Sequence, residues 1–219
     1  MCGVGCMDSS IDKTLWVYGD SFAHYPSQWV QIIADKLKLD YVSFQGQAGS
    51  SLEYTSIRLS DTHSLWKSED VVIVCLTEVH RIHGFSPGNH NQDRPVRKVN
   101  TALRNHMIYS LSYLKEKSNL RAMVVLDGFN DSSKANSSVT IPDNLIYSTK
   151  GSLMEVTQEE IKDPQARSSG VDSRENHLSP VNHEILADKV LSAIESEQDI
   201  DLSEGFRRKI FDMGENKSF

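Results

Sequence analysis

Short apolar runs alternate with helical hydrophobic patterns along most of the chain. Runs rich in β-branched and aromatic residues predict strands at 14–19, 40–45, 71–76, 121–127 and 144–149. Apolar residues that recur every three to four positions predict helices at 25–40, 100–117 and 180–195. Ser179 suits the N-cap of the last helix, and Pro180 suits its first position.

This alternation predicts an α/β protein. Strands that are apolar throughout are typical of a parallel sheet buried on both faces. Right-handed crossovers then place helices on both sides, so we expect a three-layer α/β/α sandwich around a parallel, flavodoxin-like sheet of about five strands. We assign residues 13–197 to this domain, 1–12 to a flexible N-terminus and 198–219 to an acidic tail or short docking helix.

Composition narrows the class of protein. The chain has 219 residues, of which 38% are hydrophobic and 24% charged, as in ordinary soluble domains. Its net charge of -7 argues against nucleic acid as a partner. No apolar run approaches the roughly 18 residues of a membrane span, and the N-terminus does not resemble a signal peptide. Three cysteines are too few for a disulfide framework, so we expect a cytoplasmic protein that does not bind membranes.

The candidate chemistry lies at the predicted strand ends. Ser21, in Gly-Asp-Ser, follows the first strand directly, and ligands bind outside the carboxyl ends of strands in an open parallel sheet. Backbone N–H groups at a helix start would favour an oxyanion there. A nucleophilic serine needs a base, and His177 stands just before the last helix. The alternative is that Asp20 or Ser21 only caps a turn.

These blocks resemble the SGNH, or GDSL-type, hydrolase family over roughly residues 14–195. That family carries its nucleophile in a Gly-Asp-Ser block and its base histidine before the last helix. The resemblance implies a serine esterase or deacetylase with Ser21 as nucleophile and His177 as base. It also implies that the N–H groups of Ser21 and Gly49 hold the oxyanion, with Gly46 as the alternative to Gly49. The substrate implied is a small-molecule or glycan ester, with no cofactor and no metal.

One departure from the family pattern concerns the oxyanion hole. Members usually have an asparagine after the third strand, and this chain has none there. Thr77, His80 and Arg81 are the candidates to donate instead, Arg81 most strongly because it is cationic. Some phage-encoded members look similar at this point. We group Asp20, beside the nucleophile, with these candidate binding residues.

The second departure concerns the acid that orients the base. The family spacing is Asp-x-x-His, but position 174 is arginine. Glu175 is the preferred carboxylate and Asp172 the alternative for fixing the His177 tautomer. The two departures motivate a competing hypothesis, in which the fold has lost catalysis and serves as a binding or structural protein.

Three other interpretations have less support in the sequence. His80, His83 and His90 suggest zinc, but only two of them could share one helix face and no third ligand stands at a recognised spacing. The opening "MCGVGC" resembles amidotransferases with an N-terminal cysteine nucleophile, although the α/β alternation does not match their fold. A nucleotide binder would need a Gly-rich phosphate loop after the first strand, which "GDSFAHYP" does not offer.

Overall fold

A computed structural model describes residues 12–77, 94–128, 140–160 and 178–207, with the backbone alone at 94–101 and 158–160. Its centre is a six-stranded parallel sheet in the order β2-β1-β3-β4-β5-β6. The strands are β1 (Thr14–Tyr18), β2 (Tyr41–Phe44), β3 (Val71–Leu76), β4 (Ala122–Asp127), β5 (Ile146–Lys150) and β6 (Ile200–Asp201).

Helices cover both faces of the sheet. The described residues include α1 (Gln28–Leu37), α2 (Leu52–Thr62), α3 (Arg94–Ser118), α4 (Leu153–Glu160) and α5 (Pro180–Ser196). Successive strand residues point to opposite faces. The odd-numbered residues of β1 and β3 pack with α1, α4 and α5, whereas the even-numbered ones pack with α2 and α3. The chain therefore folds as a three-layer α/β/α sandwich, as the sequence predicted.

The ends of α1 and α5 show why these segments are helical. Ser179 caps α5 through its hydroxyl oxygen, which accepts from the Asn182 backbone N–H, and Pro180 begins the helix. Both helices end at a residue in the left-handed conformation, Lys38 after α1 and Glu197 after α5. Among the described residues, no helix has the length and apolar character that a membrane crossing requires.

The structure also differs from the sequence-based expectation at several elements. A sixth strand, β6, joins the edge of the sheet from within the segment assigned to the tail, and two residues are too few to give a periodic signal. Helix α3 begins at Arg94, six residues before the start predicted for it at position 100. Helices α2 and α4 were not predicted. In α2, threonines occupy half of the buried positions and so weaken the apolar pattern.

The strand order places a topological switch point between β1 and β3. The chain leaves β1 for β2 on one side and enters β3 on the other. In such sheets a crevice opens at the carboxyl ends of the two central strands. Gly19-Asp20-Ser21 follows β1 at that edge, and Thr77 follows β3.

Candidate functional site

The Ser21 turn is the centre of the candidate site. Residues Ser21–Ala23 form one 3-10 turn directly after β1, closed by the bond from Ala23 N to Asp20 O at 3.0 Å. Asp20 caps this turn, since its Oδ1 accepts from Phe22 N at 3.2 Å. Phe22 and Ala23 anchor the turn in the core, whereas Ser21 is half-buried. A short turn, held by two buried side chains, therefore keeps Ser21 at the switch point.

Gly19 makes this sharp exit from β1 possible. Its φ of +138° is a conformation that residues with a side chain rarely adopt. A Cβ placed on Gly19 would lie 2.5 Å from Cys75 O, so the neighbouring strand also leaves no room. The glycine thus lets β1 pass close to β3 and then turn Ser21 away from the sheet.

The loop after β2 is tied to the same turn. Gln47 N and Ser50 Oγ both donate to Gly19 O, at 3.1 and 2.9 Å. A Cβ on Gly46 would lie 2.7 Å from Ala23 O, so this glycine packs directly on the Ser21 turn. Gly49 is different, because its φ is +74° and a Cβ there would meet no atom within 4 Å. Of the two candidate glycines, Gly49 is the one that borders open space.

Thr77 and Asp20 are buried against each other. Thr77 Oγ1 lies 3.1 Å from Asp20 Oδ2 and 3.0 Å from Ser50 O, and both of these atoms only accept. The single hydroxyl hydrogen is therefore taken up within the protein. This arrangement differs from the predicted role of Thr77 as an oxyanion donor. Asp20, with 0% exposure, likewise does not line a binding surface, and its carboxylate would repel an oxyanion.

The buried charge of Asp20 also affects Cys75, the neighbour of Gly19. Burial raises the pKa of the Cys75 thiol well above its usual value, and the Asp20 carboxylate raises it further. Cys75 therefore stays a thiol, which is a poor nucleophile.

His24 borders the site on the outside. Its side chain is exposed, and Nδ1 lies 3.2 Å from Gly46 O. Because a carbonyl only accepts, Nδ1 carries the hydrogen of this contact. His24 therefore links the end of the Ser21 turn to the loop that carries Gly49.

Several predicted site residues lie outside the described part of the chain. They are the base His177, the carboxylates Glu175 and Asp172, and the candidate donors His80 and Arg81. The same holds for His83 and His90 of the zinc interpretation and for Cys2 and Cys6. Leu178, the residue after His177, is buried and precedes the Ser179 cap of α5.

A second buried polar cluster lies at the same edge of the sheet. Arg104 Nη2 of α3 donates to both carboxylate oxygens of Asp127, at 2.8 and 3.0 Å. Tyr147 OH donates to Asp127 Oδ2 at 2.9 Å and also contacts Arg104. Burial, followed by the Asp127 charge, raises the pKa of Tyr147 far above its usual value.

The sequence alone did not lead to this cluster. Its signal was an arginine on the apolar stripe of α3, one turn before the buried Met107 and Ile108 and two turns before the buried Leu111. An arginine at such a position predicts a buried carboxylate partner. The partner itself, Asp127, could be identified only from the fold, because it ends a strand that follows α3 in the chain.

Comparison of the sequence with models of known protein families and with curated proteins finds no match.

Proposed function

We propose that this protein is a serine hydrolase of the SGNH type, which cleaves an ester through an acyl-enzyme on Ser21. The observation that carries the proposal is the position of the Ser21 turn at the switch point of the sheet, with the Gly49 loop bonded to it through Gly19 O. This edge is where parallel sheets bind ligands, and a backbone N–H group directed at a ligand there would stabilise a developing negative charge.

In the proposed mechanism, Ser21 Oγ attacks the acyl carbonyl carbon while His177 accepts the hydroxyl proton. The carbonyl oxygen becomes an oxyanion that accepts from the N–H groups of Ser21 and Gly49. When the tetrahedral intermediate collapses, the bond to the alcohol breaks and His177 returns the proton to the departing oxygen. Water, deprotonated by His177, then cleaves the acyl-enzyme by the same steps. Glu175 or Asp172 orients the imidazole.

The hydrogen bonds of Thr77 favour a structural role for this residue over a direct role in catalysis. Its hydroxyl joins Asp20, on the Ser21 turn, to Ser50, beside Gly49. We therefore assign it as a positioning residue that keeps the nucleophile and the oxyanion-binding loop at a fixed separation. In this proposal Arg81 or His80 supplies any third oxyanion donor.

The second candidate function is the catalytically inactive fold, acting as a binding or structural protein. It is favoured by the hydrogen bonds of Thr77, whose hydroxyl donates to protein acceptors. Thr77 is then not a donor to an oxyanion. Removal of one such donor typically costs ~100–1,000-fold in rate.

One experiment separates the two. Turnover of p-nitrophenyl acetate and labelling by a fluorophosphonate are measured for the unmodified protein and for Ser21→Ala, with Ser196→Ala at the exposed end of α5 as the matched control. We expect Ser21→Ala to lose labelling and at least ~1,000-fold of the rate. The control keeps both.

Equal rates in the unmodified protein, Ser21→Ala and Ser196→Ala, with no adduct on Ser21, would contradict the proposed esterase activity and favour the inactive fold. His177→Ala tests the base in the same assay and should lose a comparable part of the rate. Retained turnover in His177→Ala would exclude it as the base.

A further inference from the structure

We propose that Trp29 is a positioning residue for the nucleophile. Its indole N–H holds the Phe22–Ala23 peptide unit and thereby fixes the direction in which Ser21 presents its hydroxyl. This inference rests on the proposed function and adds to it a residue that touches neither the substrate nor the reacting atoms. It is carried by one buried hydrogen bond and by the place of that bond on the Ser21 turn.

The hydrogen bond joins the first turn of α1 to the Ser21 turn. Trp29 Nε1 donates to Phe22 O at 3.1 Å, seven positions back in the chain. Trp29 and Phe22 both have 0% exposure, so water does not replace this bond. Ser27 Oγ, which is also buried, donates to the same carbonyl at the longer distance of 3.4 Å. Of these two donors to Phe22 O, the indole is therefore the stronger.

The bond fixes a peptide unit that is also held on its other side. Ala23 N donates to Asp20 O at 3.0 Å, while Phe22 O accepts from Trp29. Because a peptide unit is planar, bonds to its N–H and to its C=O together fix its tilt. The preceding unit is held as well, since Phe22 N donates to Asp20 Oδ1. Ser21 lies directly before these two units, so the direction of its side chain depends on both.

The Ser21 turn needs such an anchor, because a single 3-10 turn has little stability of its own. Residues 24–26, which lead from the turn to α1, are exposed. The Trp29 bond bypasses them and ties the turn directly to a helix in the core. Trp29 belongs to the same buried cluster as Leu186 of α5, the helix that follows the proposed base His177. Trp29 therefore sets the turn of the nucleophile against the layer that contains α1 and α5.

The test is Trp29→Phe in the full chain, which keeps an aromatic ring but removes the N–H. We expect kcat for p-nitrophenyl acetate and the rate of fluorophosphonate labelling at Ser21 to fall ~10–100-fold, because a small misplacement of a reacting group has an effect of this size. KM should stay nearly constant, since Trp29 is buried and does not contact the substrate.

Trp16→Phe is the matched control. Trp16 is also buried and its Nε1 donates at 2.9 Å, but the acceptor is Asp70, which directly precedes β3 at the opposite edge of the sheet. We expect both phenylalanine variants to lower the midpoint of thermal unfolding, and only Trp29→Phe to lower kcat and the labelling rate. Ser27→Ala, a smaller change at the same carbonyl, should lower both rates by a smaller factor.

Full activity of Trp29→Phe, or equal losses in Trp29→Phe and Trp16→Phe, would overturn the inference. If Trp29→Phe does not fold, unchanged rates in Ser27→Ala would overturn it. These outcomes leave the serine mechanism intact, because Ser21 is still labelled in the unmodified protein. Absence of a Ser21 adduct in the unmodified protein would overturn the proposed function, and this inference with it.

Discussion

The Thr77 hydroxyl oxygen lies 3.1 Å from Asp20 Oδ2, and this contact joins the segment after β3 to the segment after β1. Both side chains are buried, and the same hydroxyl lies 3.0 Å from Ser50 O, in the loop after β2. Three loops that leave three adjacent strands are therefore connected through one hydrogen-bonding group. Because the interior is poor in alternative partners, loss of this hydroxyl would weaken the connection between the three loops.

Replacement of Thr77 by valine tests this connection. Thr77→Val keeps the shape of the side chain but deprives Asp20 Oδ2 and Ser50 O of a donor, so we expect the free energy of unfolding to fall by about 1–3 kcal/mol. If Thr77 positions the Ser21 turn and the Gly49 loop for the proposed reaction, kcat should fall while KM stays nearly constant, because Thr77 does not touch the substrate.

Urea denaturation and steady-state turnover of p-nitrophenyl acetate measure the two effects. Thr77→Ser, which keeps the hydroxyl, should recover most of both. A valine variant as stable as the unmodified protein would show that the contact with Asp20 contributes no net stability.

The two glycines of the site predict opposite outcomes for the same substitution. Gly19→Ala places a Cβ 2.5 Å from Cys75 O, which is backbone and cannot yield, and also strains a φ of +138°. In Gly49→Ala the new Cβ lies in open space, so the substitution costs only the strain of a left-handed backbone conformation, about 1–2 kcal/mol. We therefore expect Gly19→Ala to be much less stable than Gly49→Ala.

Thermal denaturation of the two variants under the same conditions provides the measurement. If Gly49 borders the bound substrate as proposed, its alanine variant should remain folded and still lose turnover, because a methyl group then occupies the space beside the oxyanion. Equal stability of the two variants would contradict the tight packing of β1 against β3 at Gly19.

The Arg104–Asp127 pair predicts a strong asymmetry between single and double substitutions. Arg104→Met removes the guanidinium that pairs with the buried Asp127 carboxylate, which should cost about 3–5 kcal/mol of stability. The double variant Arg104→Met with Asp127→Leu removes both charges and should be more stable than Arg104→Met alone. A double-mutant cycle in urea denaturation measures this coupling. If the double variant is less stable than Arg104→Met, then Arg104 and Asp127 are not each other's main electrostatic partners.

How far the sequence predicts this protein depends on how local each feature is. Strand β3 was predicted with its exact bounds, because six consecutive apolar residues are fully buried on both faces. The Ser21 turn was placed correctly because it follows such a strand directly. Helix α2 escaped prediction, since Thr55 and Thr62 share its buried face with Leu52 and Leu59 and so weaken the apolar period.

The contacts within the site depend on the fold rather than on local pattern. Thr77 and Asp20 are 57 positions apart, and nothing near either residue indicates that they meet. The sequence therefore allowed Thr77 as one of three candidate oxyanion donors, a role that its buried hydrogen bonds do not suit. The Arg104 pairing was missed for the same reason, since arginine in a helix usually faces water.

Two buried tyrosines predict how the protein responds to alkali. Burial raises the pKa of Tyr18, which bonds to Thr62 and accepts from the Trp66 indole, and it raises that of Tyr147 beside Asp127. A group with a raised folded pKa stabilises the protein fully below its unfolded pKa, near 10 for tyrosine, and loses this contribution as the pH rises through the folded value. The free energy of unfolding should therefore fall above about pH 10.

Phenolate absorbance provides the measurement. Of the seven tyrosines in the chain, Tyr18 and Tyr147, whose pKa values are raised, should ionise together with unfolding of the protein. Tyr18→Phe and Tyr147→Phe should each remove one tyrosine from the step that coincides with unfolding. Early ionisation of all seven, before any loss of circular dichroism, would contradict the burial of both phenols and the hydrogen bonds that hold them.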